Sequence, residues 1–217
     1  MNVQPNLNLL GRKAFNQERR LGSEKNVFPY LGLWLFTGSQ GSGKTLMAMH
    51  CVSDIIRQYP EAMIVSNINI YGLNAIPYRG IKDFDKYHNG DKGIIFLIDE
   101  IHTLFSSLES AKMPVSTLTV WSQNRKNRRL ILGTTQRFTR AAKGLREQTT
   151  WHYSCHRTFL SWLFRYQIVS GEDYDDDGKY IGDRQIPNHF YVPKVSVMRM
   201  YNTKEVVNRE DFDNGNS

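Results

Sequence analysis

Cysteine is scarce in this chain of 217 residues: Cys51 and Cys155 are the only two. Neither sits in a paired ligand spacing, which argues against a disulfide framework or a cysteine zinc knuckle and for a reducing compartment. Long apolar runs are also missing. No window approaches 18 uninterrupted apolar residues, so no membrane span of its own is expected. The start, Met1-Asn2-Val3-Gln4-Pro5-Asn6, lacks the basic and apolar regions of a secretory signal, so the chain is expected not to be secreted. Internal repeats are not evident, and the one compositionally odd stretch, Glu172-Asp173-Tyr174-Asp175-Asp176-Asp177-Gly178, reads as a solvated loop. What is present is a globular composition, 40% hydrophobic and 23% charged, enough for one large domain. The net charge of +7 points to a polyanionic partner or an anionic membrane surface.

Along the chain, residues 1–29 are polar and mixed in charge and read as an N-terminal arm. The core is expected over 30–169. It opens with the apolar run Leu31-Gly32-Leu33-Trp34-Leu35-Phe36, a buried strand that enters a glycine-rich turn. Leu46, Met49, Val52, Ile55 and Ile56 then recur at helical spacing up to Tyr59-Pro60. Residues 62–68 suit a second strand, and a short helix is expected over 81–87. Ile94-Ile95-Phe96-Leu97-Ile98 is continuous and β-branched, as a central parallel strand with both faces covered should be. A polar helix is expected over 116–126, a strand over 129–136 and a basic helix over 139–147. Strands follow over 149–156 and 164–169. Residues 170–207 form a C-terminal extension with short edge strands at Lys179-Tyr180-Ile181 and Phe190-Tyr191-Val192, and 208–217 a disordered tail. This alternation predicts a three-layer α/β domain with a mostly parallel central sheet.

Gly38-Ser39-Gln40-Gly41-Ser42-Gly43-Lys44-Thr45 matches the full phosphate-binding loop pattern in the required context, after a strand and before a helix. Small residues let backbone N–H groups curl around phosphate, and the helix N-terminus favours anionic oxygens. Lys44 can reach the β and γ phosphates of ATP, and Thr45 can ligate Mg2+. Asp99 and Glu100 end the central strand. Adjacent residues point in different directions, which suits Asp99 to the metal side and Glu100 to polarising an attacking water. Gln136, after Thr134 and Thr135, ends another core strand where its amide can sense the γ-phosphate or the lytic water.

The positive charge is concentrated. Residues 125–165 contain ten basic side chains (Arg125, Lys126, Arg128, Arg129, Arg137, Arg140, Lys143, Arg146, Arg157, Arg165) against the single acid Glu147; the rest of the chain holds 18 basic and 20 acidic residues. Such a segment can hold DNA backbone phosphates without reading bases. Arg140 and Arg146 are the leading candidates for arginine fingers supplied to a neighbouring active site, with Arg137 and Arg157 as further choices. His152, Cys155 and His156 lack a fourth ligand or knuckle spacing and read as sheet packing. His102, three residues after Asp99, can polarise the water network or contact a neighbour, with local hydrogen bonding as the more ordinary reading.

Residues 38–45, the strand ending in Asp99-Glu100, and Thr134-Thr135-Gln136 followed by Arg137, Arg140 and Arg146 together resemble the FtsK/HerA-type P-loop ATPases with an additional strand (ASCE topology). Among these the likeness is to viral genome-packaging ATPases, and it covers roughly residues 31–157. The resemblance implies an ATP-hydrolysing, Mg2+-dependent motor. It would assemble as a ring, pentamer or hexamer, and drive double-stranded viral DNA into a preformed capsid. Carried over by motif, Lys44 and Thr45 hold phosphate and metal, Asp99 completes the metal site, Glu100 activates water and Gln136 senses the γ-phosphate. The expected location is the host cytoplasm or the virion packaging vertex, with a capsid-vertex or inner viral membrane protein as a docking partner. The chain is also similar to zonula occludens toxin-like and filamentous-phage assembly ATPases, which usually continue into a membrane span. That leaves extrusion of single-stranded DNA as an alternative, beside a nucleotide-gated noncatalytic DNA-binding virion protein and, less suited to Asp99-Glu100, a small-molecule kinase.

Overall fold

Period-two side-chain alternation in six parallel strands divides the interior into two cores. The computed structural model describes residues 27–104 and 126–201. Its strands are β1 (Gly32–Thr37), β2 (Met63–Ser66), β3 (Ala75–Pro77), β4 (Ile94–Ile98), β5 (Arg129–Thr135), β6 (Thr149–Arg157), β7 (Phe164–Ser170) and β8 (His189–Tyr191). They form one sheet in the order β3-β2-β4-β5-β1-β6-β7-β8. Pairings from β3 to β6 are parallel; β7 and β8 add antiparallel strands at one edge. β5 stands between β1, which leads into the glycine loop, and β4, which ends at Asp99. This is the α/β P-loop arrangement with an additional strand that the sequence predicts.

All five residues of β4 are buried. Ile95 and Leu97 face one core with Trp34, Phe36, Leu130 and Leu132, whereas Ile94, Phe96 and Ile98 face the other with Leu33, Leu35 and Ile131. Burial on both faces requires apolar residues at odd and even positions alike, which is why these strands show no polar alternation. The first core is covered by helix α1 (Lys44–Gln58) through Met47, Cys51, Val52 and Ile55. Phe36 stacks on Tyr153 at 4.5 Å there, joining β1 to β6. The second is covered by short helices α2 (Asp83–Lys86) and α3 (Lys143–Glu147), through Phe84 and Leu145. Helix α4 (Val195–Met198) returns the chain to α1 and buries Val197.

Four expectations are corrected. The basic helix over 139–147 is two pieces, a 3-10 turn at Phe138–Arg140 and then α3, because Ala141 and Ala142 take extended backbone angles. Lys179-Tyr180-Ile181 contributes only an isolated bridge from Tyr180 to Tyr174, since the acidic turn before it draws N–H groups to Asp175 instead. Phe28, placed in the arm, is fully buried: it packs edge-on against Tyr30 and Tyr59, and its N–H donates to the Asp91 carbonyl. Arg129, counted with the basic surface, is fully buried in the second core. Its guanidinium donates to the Phe84 carbonyl and lies over the Phe84 and Phe96 rings, which offsets part of the cost of burying the charge. The expected helix over 116–126 and the tail over 208–217 lie outside the described residues.

Candidate functional site

The glycine loop joins the end of β1 to α1 and depends on glycine at two places. Gly43 caps α1 in the left-handed region at φ 84°, and a Cβ there would meet the Phe164 ring at 2.6 Å. Gly38, at φ 151°, passes so close to the Cys155 carbonyl that a Cβ would stand 2.4 Å from it. β6 and β7 therefore press on the loop from one side. β8 supports it as well, because the Tyr191 hydroxyl donates to the Gly43 carbonyl at 3.3 Å. On the other side the Gly38 N–H donates to the Gln136 carbonyl at 3.3 Å, tying the loop to the tip of β5.

Lys44 and Thr45 open α1, which offers its unpaired N–H groups at the loop. Thr45 Oγ1 donates to Asp99 Oδ1 at 2.9 Å, and Thr134 Oγ1 donates to the same oxygen at 2.7 Å. Asn67, just past β2, clasps the Asp99 backbone with its side chain: Nδ2 donates to the carbonyl at 2.9 Å and Oδ1 accepts from the N–H at 2.8 Å. Asp99 is thus fixed by three elements. Two hard oxygens 2.9 Å apart match the spacing of neighbouring ligands around octahedral Mg2+, whose oxygens lie at about 2.0–2.1 Å. The buried Ser42 hydroxyl, without a partner among the described residues, and the left-handed glycines around it fit an anion cradle. The residues therefore fit both a nucleotide phosphate and its metal.

Glu100 has φ 54°, the left-handed region that a side chain makes unfavourable, and its N–H donates to Thr134 Oγ1 at 3.0 Å. One hydroxyl thereby serves both carboxylate residues. It donates to the Asp99 carboxylate and accepts from the Glu100 N–H, fixing one side chain and the backbone from which the other extends. The Glu100 carboxylate is 3.3 Å from His102 Nε2. Gln136 follows β5 and is exposed, its Oε1 accepting from Arg140 Nη1 at 2.8 Å. Arg146 is further off. Its guanidinium donates to the Ala141 carbonyl and, at 2.8 Å, to the Asp176 carbonyl of the acidic loop. Lys143 pairs with the Asp176 carboxylate at 2.9 Å, which raises the lysine pKa and lowers that of the aspartate.

The structure brings together Lys44, Thr45, Asp99, Glu100 and Gln136 and leaves Arg146 outside. Sequence reasoning missed Asn67 and Tyr201, and offered His102 a part in the water network only beside the more ordinary reading of local hydrogen bonding. Tyr201 lies beside Thr45, with a pKa raised by burial and by the nearby Asp99 carboxylate. No local motif marks these, since each acts across elements far apart in sequence. His152 bonds Thr37 and Tyr174, and among the described residues no His, Cys, Asp and Glu cluster forms a separate metal site. Nor, among them, is any helix long and apolar enough to cross a membrane.

The profile of the AAA family, the ATPase family associated with various cellular activities, matches residues 34–153. No curated protein sequence matches the chain significantly. Among solved structures, the N-terminal domain of zonular occludens toxin from Neisseria meningitidis aligns with a TM-score of 0.59 and 17% identity, over 80% of this chain and all of that one. The DNA-packaging ATPase from Sulfolobus Turreted Icosahedral Virus aligns at 0.51 and 15%, over 73% of this chain and 96% of that one. The genome packaging NTPase from Sulfolobus turreted icosahedral virus 2, in complex with AMPPCP, aligns at 0.51 and 10%, over 75% and 98%. At these identities the likeness is one of fold.

Proposed function

Because the chain belongs to the AAA ATPase family, we propose that it is an ATP-hydrolysing motor that moves double-stranded DNA, as a viral genome-packaging ATPase does. The observation that carries the hydrolytic part is the Thr45–Asp99–Thr134–Glu100 hydrogen-bonded chain at the lip of the glycine loop. It presents the Asp99 carboxylate to the metal side and fixes the backbone from which Glu100 extends. Backbone N–H groups of residues 39–45 and Lys44 hold the phosphates. Mg2+, held by Thr45 and Asp99, would neutralise charge on the β and γ oxygens. Glu100 accepts the proton of the attacking water, and Gln136 contacts the γ-phosphate side. The DNA part is supported by the basic segment and by the fold shared with a DNA-packaging ATPase. A ring of copies, each supplying Arg140 or Arg146 to its neighbour, follows from the same reading.

The decisive experiment measures ATP turnover with no DNA, duplex DNA and single-stranded DNA. Duplex stimulation with loss of turnover in Glu100→Gln, ATP affinity retained, is the expected result. Preference for single strands would move the reading to extrusion of phage DNA. Full turnover in Glu100→Gln would remove the carboxylate from its role, and absence of any hydrolysis in the wild type would leave a nucleotide-gated binding protein.

A further inference from the structure

The sequence after β4 runs Asp99-Glu100-Ile101-His102, and it folds as a 3-10 turn over Ile101–Leu104. Ile101 anchors that turn. It is fully buried against Gly133 of β5, where a Cβ would meet Ile101 Cδ1 at 2.7 Å, so the turn is held tightly against the strand. The Thr103 N–H donates to the Glu100 carbonyl at 2.9 Å and closes it. With Ile101 pinned inward, His102 returns towards Glu100. Its Nε2 stands 3.3 Å from Glu100 Oε2, and its Nδ1 stands 3.2 Å from Thr135 Oγ1. A carboxylate only accepts, so Nε2 carries the proton that faces it, and Nδ1 lies within hydrogen-bond distance of the Thr135 hydroxyl. Thr135 is fully buried and immediately precedes Gln136, whose side chain holds Arg140.

We propose that His102 is a positioning residue for ATP hydrolysis, setting the Glu100 carboxylate and joining it through Thr135 to the tip of β5 that carries Gln136. The inference rests on the role given to Glu100 above. Without the imidazole, the Glu100 side chain has rotamer freedom, and its strained backbone fixes only where it starts. With the imidazole, any shift of the β5 tip is felt at the carboxylate through the Thr135 hydrogen bond and the His102–Glu100 contact. His102 is partly exposed, with 23% of its side chain accessible, so its replacement leaves the core intact.

Steady-state ATPase kinetics of His102→Ala, His102→Gln and His102→Asn, beside Glu100→Gln, test it. The Ala variant should lose about ten- to hundredfold in kcat while KM for ATP stays within about twofold, the scale of loss expected from a misplaced catalytic group. Gln can place a donor where Nε2 stands and should recover most of the loss; Asn reaches only the Thr135 side and should behave as Ala does. Thr135→Val should add little to His102→Ala, since both break one connection. Wild-type kcat in His102→Ala with an inactive Glu100→Gln would overturn the inference and leave the role of Glu100 standing. An active Glu100→Gln overturns both. A rise in KM alone, or equal recovery by Asn and Gln, would also overturn it. If the Ala variant melts early, the Gln and Asn pair carries the same comparison.

Discussion

Thr134 shows how much one hydroxyl does in this site. It donates to Asp99 and accepts from Glu100, and it is fully buried on β5. Valine has the same shape and suits a strand, so Thr134→Val removes the hydroxyl with little change in packing. It leaves the Glu100 N–H unpaired and should cost about 1–3 kcal/mol of stability, read as a shift in the urea midpoint. A steep loss of turnover should accompany it, because the Asp99 carboxylate and the Glu100 backbone both lose the oxygen that holds them. An unchanged midpoint together with normal turnover would contradict that role. At this scale, Lys44, Thr45, Asp99 and Glu100 were legible because each belongs to a contiguous pattern with its own chemistry. Thr134 and Thr135 were legible as a strand tip and not as a bridge. Asn67 was not legible as a site residue and His102 only as one choice among several, since their contacts exist only once β2, β4 and β5 lie side by side.

The elements were legible wherever periodicity reflects burial on one or two faces. The β4 run and the α1 spacing are such cases. Helix 139–147 broke in two because its composition satisfies helix propensity, while the packing of Phe138 and Leu145 into one core requires an extended link at Ala141-Ala142. Histidines within elements carry a consequence that composition could not show. His152 on β6 is pushed to about 4 by burial, with His156 adding to it, and His50 on α1 is pushed to about 4 by burial, with Asp54 opposing and Lys194 adding. Their folded pKa values lie below the unfolded value near 6.5, so the unfolded chain binds more protons between the two. The stability that these neutral rings contribute is complete above about pH 6.5 and falls towards pH 4, at about 1 kcal/mol per pH unit for each. Denaturant midpoints measured from pH 7.5 to 4.5 should show this decline. His152→Gln should flatten it, and an identical slope in that variant would exclude His152 as a source.

Across the whole molecule, charge distribution is where composition and structure diverge most. Ten basic residues in one segment suggested one continuous surface, but folding sends them to different tasks. Arg129 is buried, and burial lowers its pKa only to about 10, so it stays charged within the core at neutral pH. Arg128 lies 3.7 Å from Asp91, and the acidic loop engages Lys143 and Arg146 through Asp176. The acidic loop, read from sequence only as solvated, therefore neutralises part of the basic segment. Lys126, Arg137 and Arg157 remain exposed for an anionic partner. If these hold DNA phosphates, each charge removed should lower the slope of log affinity against log salt by about one, with equal losses on unrelated duplex sequences. Arg137→Ala and Arg157→Ala are expected to do so. Arg129→Met should lower the melting temperature and leave the slope alone. Asp176→Ala should steepen the slope, because it releases Lys143 from its pair. The same slope in all four proteins would mean that the positive charge of residues 126–165 serves the fold and its own acidic loop, and that DNA is held elsewhere.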